Sequence, residues 1–150
     1  MAKYGAKKII ATDISEKAVN NTKLNISKFG LEKLCTVVQS DLFENVNETA
    51  DFILWMIPFF PGFPKKMDTI AASMIMEPEL FEKFLTDAKN RLNPKGVILL
   101  PSFSLGGELT DPLIIGNKFG YSVNTTWEHN SVNGIQQGLR YMHELRLKNL

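Results

Sequence analysis

"KKIIATDISEKAVNNTKLNISKFG" (residues 7–30) decides how the chain is read. Lys7 to Asp13 is a short apolar run with β-branched residues, the pattern of a strand. After Ser15 the period changes. Ala18, Thr22, Ile26 and Phe29 recur at steps of three and four, which predicts a helix over 15–30 with Gly30 as its stop. The same change of period then repeats along the chain. "CTVVQSD" (35–41) and "DFILWM" (51–56) read as further strands. "PELFEKFLTDAKNRL" (78–92) is the clearest helix: Pro78 suits its first turn, and Leu80, Phe81, Phe84, Leu85, Ala88 and Leu92 share one face. "NPKG" (93–96) is expected to break it before the apolar strand "VILLPSF" (97–103), and "GELTDPLIIGNKFG" (107–120) reads as a weaker helix interrupted by Pro112 and Gly116.

The tail has period two. "YSVNTTWE" (121–128) sets Tyr121, Val123, Thr125 and Trp127 on one face, and "LRYMHELRLK" (139–148) alternates in the same way. Asn133-Gly134 between them is a turn signal. Strand–helix units followed by a hairpin predict an α/β fold: a mainly parallel sheet with helices on both faces and a C-terminal antiparallel hairpin. With no internal repeat, low-complexity tract or linker, residues 1–150 read as a single domain.

Composition bounds the function. The chain has 150 residues, 44% hydrophobic and 22% charged, enough for a real core. A formal net charge of +1 gives no bulk attraction to nucleic acid or membrane. The single cysteine, Cys35, excludes an internal disulfide framework and fits a reducing compartment. No apolar run approaches the roughly 20 residues of a membrane-spanning helix, and "MAKYGAKK" lacks the core of a signal peptide, so a cytoplasmic location is expected. His129, His143 and Cys35 show no metal-ligand spacing, and no nucleophile elbow or phosphate loop is present.

In parallel sheets ligands bind beyond the carboxyl ends of the strands. That rule selects Asp13, Asp41, the 56–64 loop and residues 102–107. A carboxylate at Asp13 can accept from both hydroxyls of a ribose; Asp13 or Ser15 can equally cap the helix. Asp41 can receive an adenine amino group with Leu42 against the ring, or simply serve a turn. "DFILWMIPFFPGFP" (51–64) runs from a strand into a loop where Pro58, Pro61 and Pro64 forbid helix and central strand. Its Trp55, Phe59, Phe60 and Phe63 either stack a planar substrate or pack as a stiff plug.

"GAKKIIATDISEKAVNNTKLN", "VVQSDLFENV", "ADFILWMIPFF" and "FLTDAKNRLNPKGVILLPSF", in that order, resemble the class I S-adenosylmethionine-dependent methyltransferases. The nearest likeness is to the small-domain group that includes RNA guanine-N2 and release-factor glutamine enzymes. The resemblance covers roughly residues 1–128. It implies a Rossmann-like fold with S-adenosylmethionine as cofactor and an RNA or protein substrate methylated on an amine or amide nitrogen. Asp13 would hold the ribose with Ile14 beside the adenine, and Asp41 with Leu42 would meet the adenine edge. The family's Asn-Pro-Pro-aromatic motif falls on Met56, Ile57, Pro58 and Phe59. Pro58 and Phe59 are kept as a substrate wall, but Met56 replaces the asparagine whose carbonyl accepts from the substrate amine, and thioether sulfur is a weak acceptor. The family's first strand and Gly-rich turn would precede "AKYGAKK", so an N-terminally truncated form is expected. Without that central strand, the strands at 7–13 and 51–56 are expected to pair with each other or to be completed by another chain, a homo-oligomer among the candidates. The other reading is a degenerate domain that binds a partner and performs no chemistry.

Overall fold

A computed structural model describes residues 1–58, 60–62, 73–133 and 136–148. The chain divides into two compact units, Met1–Glu48 and Thr49–Leu150.

In the first unit, β1 (Ile9–Asp13) and β2 (Cys35–Gln39) pair in parallel, from Ile9 opposite Cys35 to Asp13 opposite Gln39. Helix α1 (Glu16–Lys28) connects them. Ser15 is its N-cap, with Oγ accepting from the Ala18 N–H at 3.4 Å. Its end is a Schellman motif: Gly30 takes the left-handed conformation at φ 63°, and the amides of Gly30 and Leu31 donate to the carbonyls of Ser27 and Ile26. Gly30 is therefore the stop that the sequence predicts. Val19 is the buried residue of α1, with Ala18, Thr22 and Ile26 half-buried around it, while Phe29, placed in the cap, turns out to solvent.

The second unit is a four-stranded sheet in the order β3 (Ala50–Leu54), β6 (Leu92–Phe103), β8 (Gln136–Leu147), β7 (Tyr121–Asn133). β3 and β6 are parallel; β6–β8 and β8–β7 are antiparallel. Helix α2 (Pro78–Ala88) buries Phe81, Phe84, Leu85 and Ala88. The Tyr121 hydroxyl donates to the Leu85 carbonyl at 2.8 Å, and burial pushes its phenol pKa up. Helix α3 (Pro112–Lys118) lies close on the same face of the sheet, where a Cβ at Gly116 would come within 3.0 Å of Val123 and Leu145 side-chain atoms. On that face His143, 1% exposed, is held between Ser102 Oγ on Nε2 at 2.8 Å and Thr125 Oγ1 on Nδ1 at 3.1 Å. Burial lowers the His143 pKa, against a smaller opposite pull from Asp111.

Several local expectations change. "NPKG" does not separate a helix from a strand. It is a bulge inside β6: Ala50 pairs with Leu92 and Phe52 with Val97, so two steps along β3 face five along β6. Lys95 absorbs the turn at φ 68°, and Asn93 Nδ2 donates to Asp51 Oδ1 at 2.8 Å. Because residues 92–96 join the strand, α2 stops at Ala88 instead of Leu92. Within the proline-rich stretch, β4 (Phe60–Pro61) pairs in parallel with β5 (Ile75–Met76). The amides of Phe60 and Gly62 donate to Met74 and Met76 carbonyls, and Pro61, lacking an N–H, falls between those two donors. The weaker helix at 107–120 narrows to α3 after a short 3₁₀ turn at Glu108–Thr110. The hairpin strands run longer than their alternation, with a bulge between Thr125 and Trp127. Gly134 of the predicted turn lies outside the described residues.

In the first unit β1 pairs with β2, and in the second β3 pairs with β6. β1 and β3 each have one edge without a described neighbour.

Candidate functional site

In the first unit the carboxyl ends of β1 and β2 lie side by side, and the turns that follow lock together. Asp13 Oδ1 accepts from the Ser15 amide at 2.8 Å. Its carbonyl accepts from the Ser40 amide at 3.0 Å. Gln39 Nε2 donates to the Ile14 carbonyl at 3.1 Å, and Asn45 Nδ2 to the Gln39 carbonyl at 2.8 Å. The Ser40 hydroxyl, buried, accepts from the Asn45 amide at 3.0 Å. Leu42 sits at φ 47°, a left-handed position that folds the turn back, and the Glu44 amide donates to the Asp41 carbonyl.

These bonds frame an open concavity of about 370 Å³, lined by Ile14, Gln39, Ser40, Asp41, Glu44 and Asn45. Ile14 presents an apolar side chain to it, 68% exposed. Asp13 stands at the same strand end. One of its oxygens orders the start of α1, as a capping role requires; Oδ2 takes no hydrogen bond among the described residues. The two alternatives for Asp13 are therefore compatible. A larger hollow, about 440 Å³, runs along α1 between Glu16, Lys17, Asn20, Asn21 and Leu24. No strand end contributes to it, and we regard it as relief on a helix surface.

The concavity suits the adenosine half of a nucleoside cofactor. Asp13 Oδ2 can accept from hydroxyls, the Ile14 side chain offers an aliphatic surface to a ring face, and polar side chains line the rest of the rim. Sequence reasoning had not selected Gln39, Ser40, Glu44 or Asn45. The one available signal was the polar cluster from Gln39 to Asn45 directly after an apolar strand.

In the second unit β3 runs on into Trp55, Met56, Ile57 and Pro58. Trp55 stacks on Phe84, centroids 4.1 Å apart at 26°, and meets Phe81 edge-on at 5.8 Å. It is an anchor to α2, not a platform for a substrate. Ile57 is 2% exposed and Met56 65% exposed, so the chain buries one neighbour and presents the other. Pro58 is half-buried. Phe59 and Phe63 lie outside the described residues.

The family model of the methyltransferase small domain matches residues 1–103. The chain belongs to the methyltransferase small domain family. Among curated relatives, the chain is 29% identical over 108 residues to the ribosomal protein uL3 glutamine methyltransferase of Neisseria meningitidis serogroup B, covering 65% of this chain and 35% of the relative. It is 29% identical over 114 residues to the release factor glutamine methyltransferase of Borreliella burgdorferi, covering 68% and 39%. The chain thus spans little more than a third of the length of these relatives. The crystal structure of a ribosomal protein L11 methylase from Lactobacillus delbrueckii subsp. bulgaricus superposes with a TM-score of 0.64 at 15% identity, covering 95% of this chain and 60% of that one. The likeness establishes the Rossmann-like methyltransferase fold that the sequence order predicts. No helix among the described residues is long and apolar enough to cross a membrane.

Proposed function

We propose that residues 1–150 form one methyltransferase-like domain that transfers a methyl group from S-adenosylmethionine to an amine or amide nitrogen of a nucleic acid or protein. The observation that carries this reading is the concavity at the ends of β1 and β2 in a chain of this family. Asp13 Oδ2 accepts from the ribose hydroxyls. Ile14 and Leu42 contact the adenine faces, and Asp41 receives its amino group. When bound, the cofactor supplies a methyl group activated on a sulfonium. The protein's part is to position the acceptor in line with it, where proximity supplies most of the acceleration.

Pro58 and Phe59 form the acceptor wall. With Met56 in place of an amide side chain, the backbone carbonyls of Met56 and Ile57 are the acceptors left to hold a substrate amine. That replacement also favours a second reading, a degenerate domain that binds a partner without chemistry. The open edges of β1 and β3 are completed by another copy of the chain, and the location is cytoplasmic, in keeping with a single cysteine.

Saturation-transfer NMR with S-adenosylhomocysteine tests the cofactor assignment. Affinity is expected to be weak, because no described residues cradle the methionine end. The adenine protons should receive saturation more strongly than the methionine protons, and Asp13→Ala should abolish the signal. Equal saturation along the ligand, or an unchanged signal in Asp13→Ala, would refute the site. Methyl transfer that rises in Met56→Asn/Ile57→Pro would separate the enzyme from the degenerate module.

A further inference from the structure

The four-stranded sheet has one face under α2 and α3. Register fixes what stands on the other face beside the hairpin. Phe103 pairs with Arg140, and Arg140 with His129, so these three side chains share a face across β6, β8 and β7. Trp127 lies two residues before His129 and stacks on it, ring centroids 5.5 Å apart at 15°. The helices lie on the opposite side, against Val123, Leu145 and Tyr121.

Three features of this face point to a ligand. Trp127 is 52% exposed although it is the largest side chain there, and its partner His129 is exposed as well. Arg140 is exposed and makes no ion pair among the described residues, whereas the neighbouring Arg146 is paired with Glu144 at 3.3 Å. Phe103 is held at the end of β6 by a gap in β8: a Cβ at Gly138 would overlap its ring. The bulge between Thr125 and Trp127 takes Trp127 off the face of Tyr121, Val123 and Thr125, where simple alternation would keep it, and sets it with His129 on the face of Arg140.

We propose that Trp127, His129, Arg140 and Phe103 form a binding platform for single-stranded nucleic acid. Flat rings on adjacent strands accept unstacked bases, and a guanidinium between them meets a phosphate. Charge complementarity selects this occupant. Glu144 on the same face is paired with Arg146, which leaves Arg140 without an ion-pair partner among the described residues. The platform lies at the carboxyl end of β6, the same end of the sheet at which β3 runs into Met56 and Pro58. It therefore deepens the proposed function by naming a nucleic acid as the acceptor class. The binding itself needs neither cofactor nor turnover and can be measured without them.

The experiment is fluorescence anisotropy of a labelled single-stranded RNA decamer and of the matching duplex, without cofactor, over a salt series. Single strands should bind more tightly than the duplex. Trp127→Ala should weaken the single strand by about tenfold, the scale of one lost base stack. Arg140→Gln should lower the slope of log affinity against log salt by about one, the signature of one phosphate contact. Trp127→Phe should retain most of the affinity, which separates stacking from misfolding. Equal binding of duplex and single strand, or affinity unchanged in Trp127→Ala, overturns the proposal. So does light scattering that shows a dimer lost in Trp127→Ala, because the face would then be covered by a second copy. A failure here with a positive saturation-transfer result for the cofactor leaves the methyltransferase reading standing.

Discussion

The two strand ends that sequence reasoning paired as one site are built by different physics. At the ends of β1 and β2, the backbone is held by side-chain amides and hydroxyls: Gln39 on Ile14, Asn45 on Gln39, Ser40 on Asn45. At the end of β3, the backbone is held by burial: Trp55 against Phe84 and Phe81, and Ile57 in the core. The first end leaves Asp13 Oδ2 without a hydrogen bond among the described residues. The second places its polar capacity in main-chain carbonyls, beside an exposed methionine. A site held by hydrogen bonds loses function when one polar group is removed. A site held by packing loses stability first.

The largest effect that separates the two ends should come from Phe84→Ala. It removes the ring under Trp55 and leaves a cavity beneath α2, so urea denaturation should show a loss of about 3–5 kcal/mol. A loss under 1 kcal/mol would mean that Trp55 is not anchored there. Next, Asp13→Ala should weaken cofactor binding by about 1.5–3 kcal/mol, the scale of a lost charged hydrogen bond, and should lower stability by only about 0.5–1 kcal/mol through the lost bond to the Ser15 amide. If stability fell and affinity did not, Asp13 would be a cap alone. Ser40→Ala should cost about 1–2 kcal/mol, because it leaves the Asn45 amide without its acceptor. Its readout is the denaturation midpoint of the first unit, followed by hydrogen exchange at the Asn45 amide.

The smallest expected effect is a pH dependence in the second unit. Burial lowers the folded-state pKa of His143 below its ordinary 6.5, so the unfolded chain binds the proton more readily than the folded one. The stability from neutral His143 is therefore fully present above about pH 6.5 and is lost as the pH falls through the folded-state value. The melting temperature should drop on acidification below pH 6.5, and His143→Gln should remove that part of the slope. A melting temperature that rises instead would reverse the sign of the argument.

Local pattern carried far in this chain. The change from period two to period 3.6 after Asp13 located β1 and α1, and Gly30 stopped the helix because a left-handed residue was needed there. The order of the strand–helix motifs was enough to indicate the fold, and Asp13, Ile14, Asp41 and Leu42 were legible as residues at strand ends. Harder to read were the groups that organise those ends. Gln39 and Asn45 act on carbonyls of neighbouring segments, and no single-chain periodicity records such a bond. His143 offered no signal, since its partners Ser102 and Thr125 come from two other strands.

By itself, the sequence determined which segments alternate, where they stop and which residues stand at the carboxyl ends, because helix and strand periods and caps are local properties. Tertiary structure alone decided that Trp55 is an anchor, that "NPKG" is a bulge in a strand and that Pro61 sits inside a short ladder. It also decided that Trp127, His129, Arg140 and Phe103 meet on one face. Each of those outcomes depends on what lies opposite: a helix with two phenylalanines, a strand whose register must be met, carbonyls either side of a proline, and a glycine that leaves room for a ring.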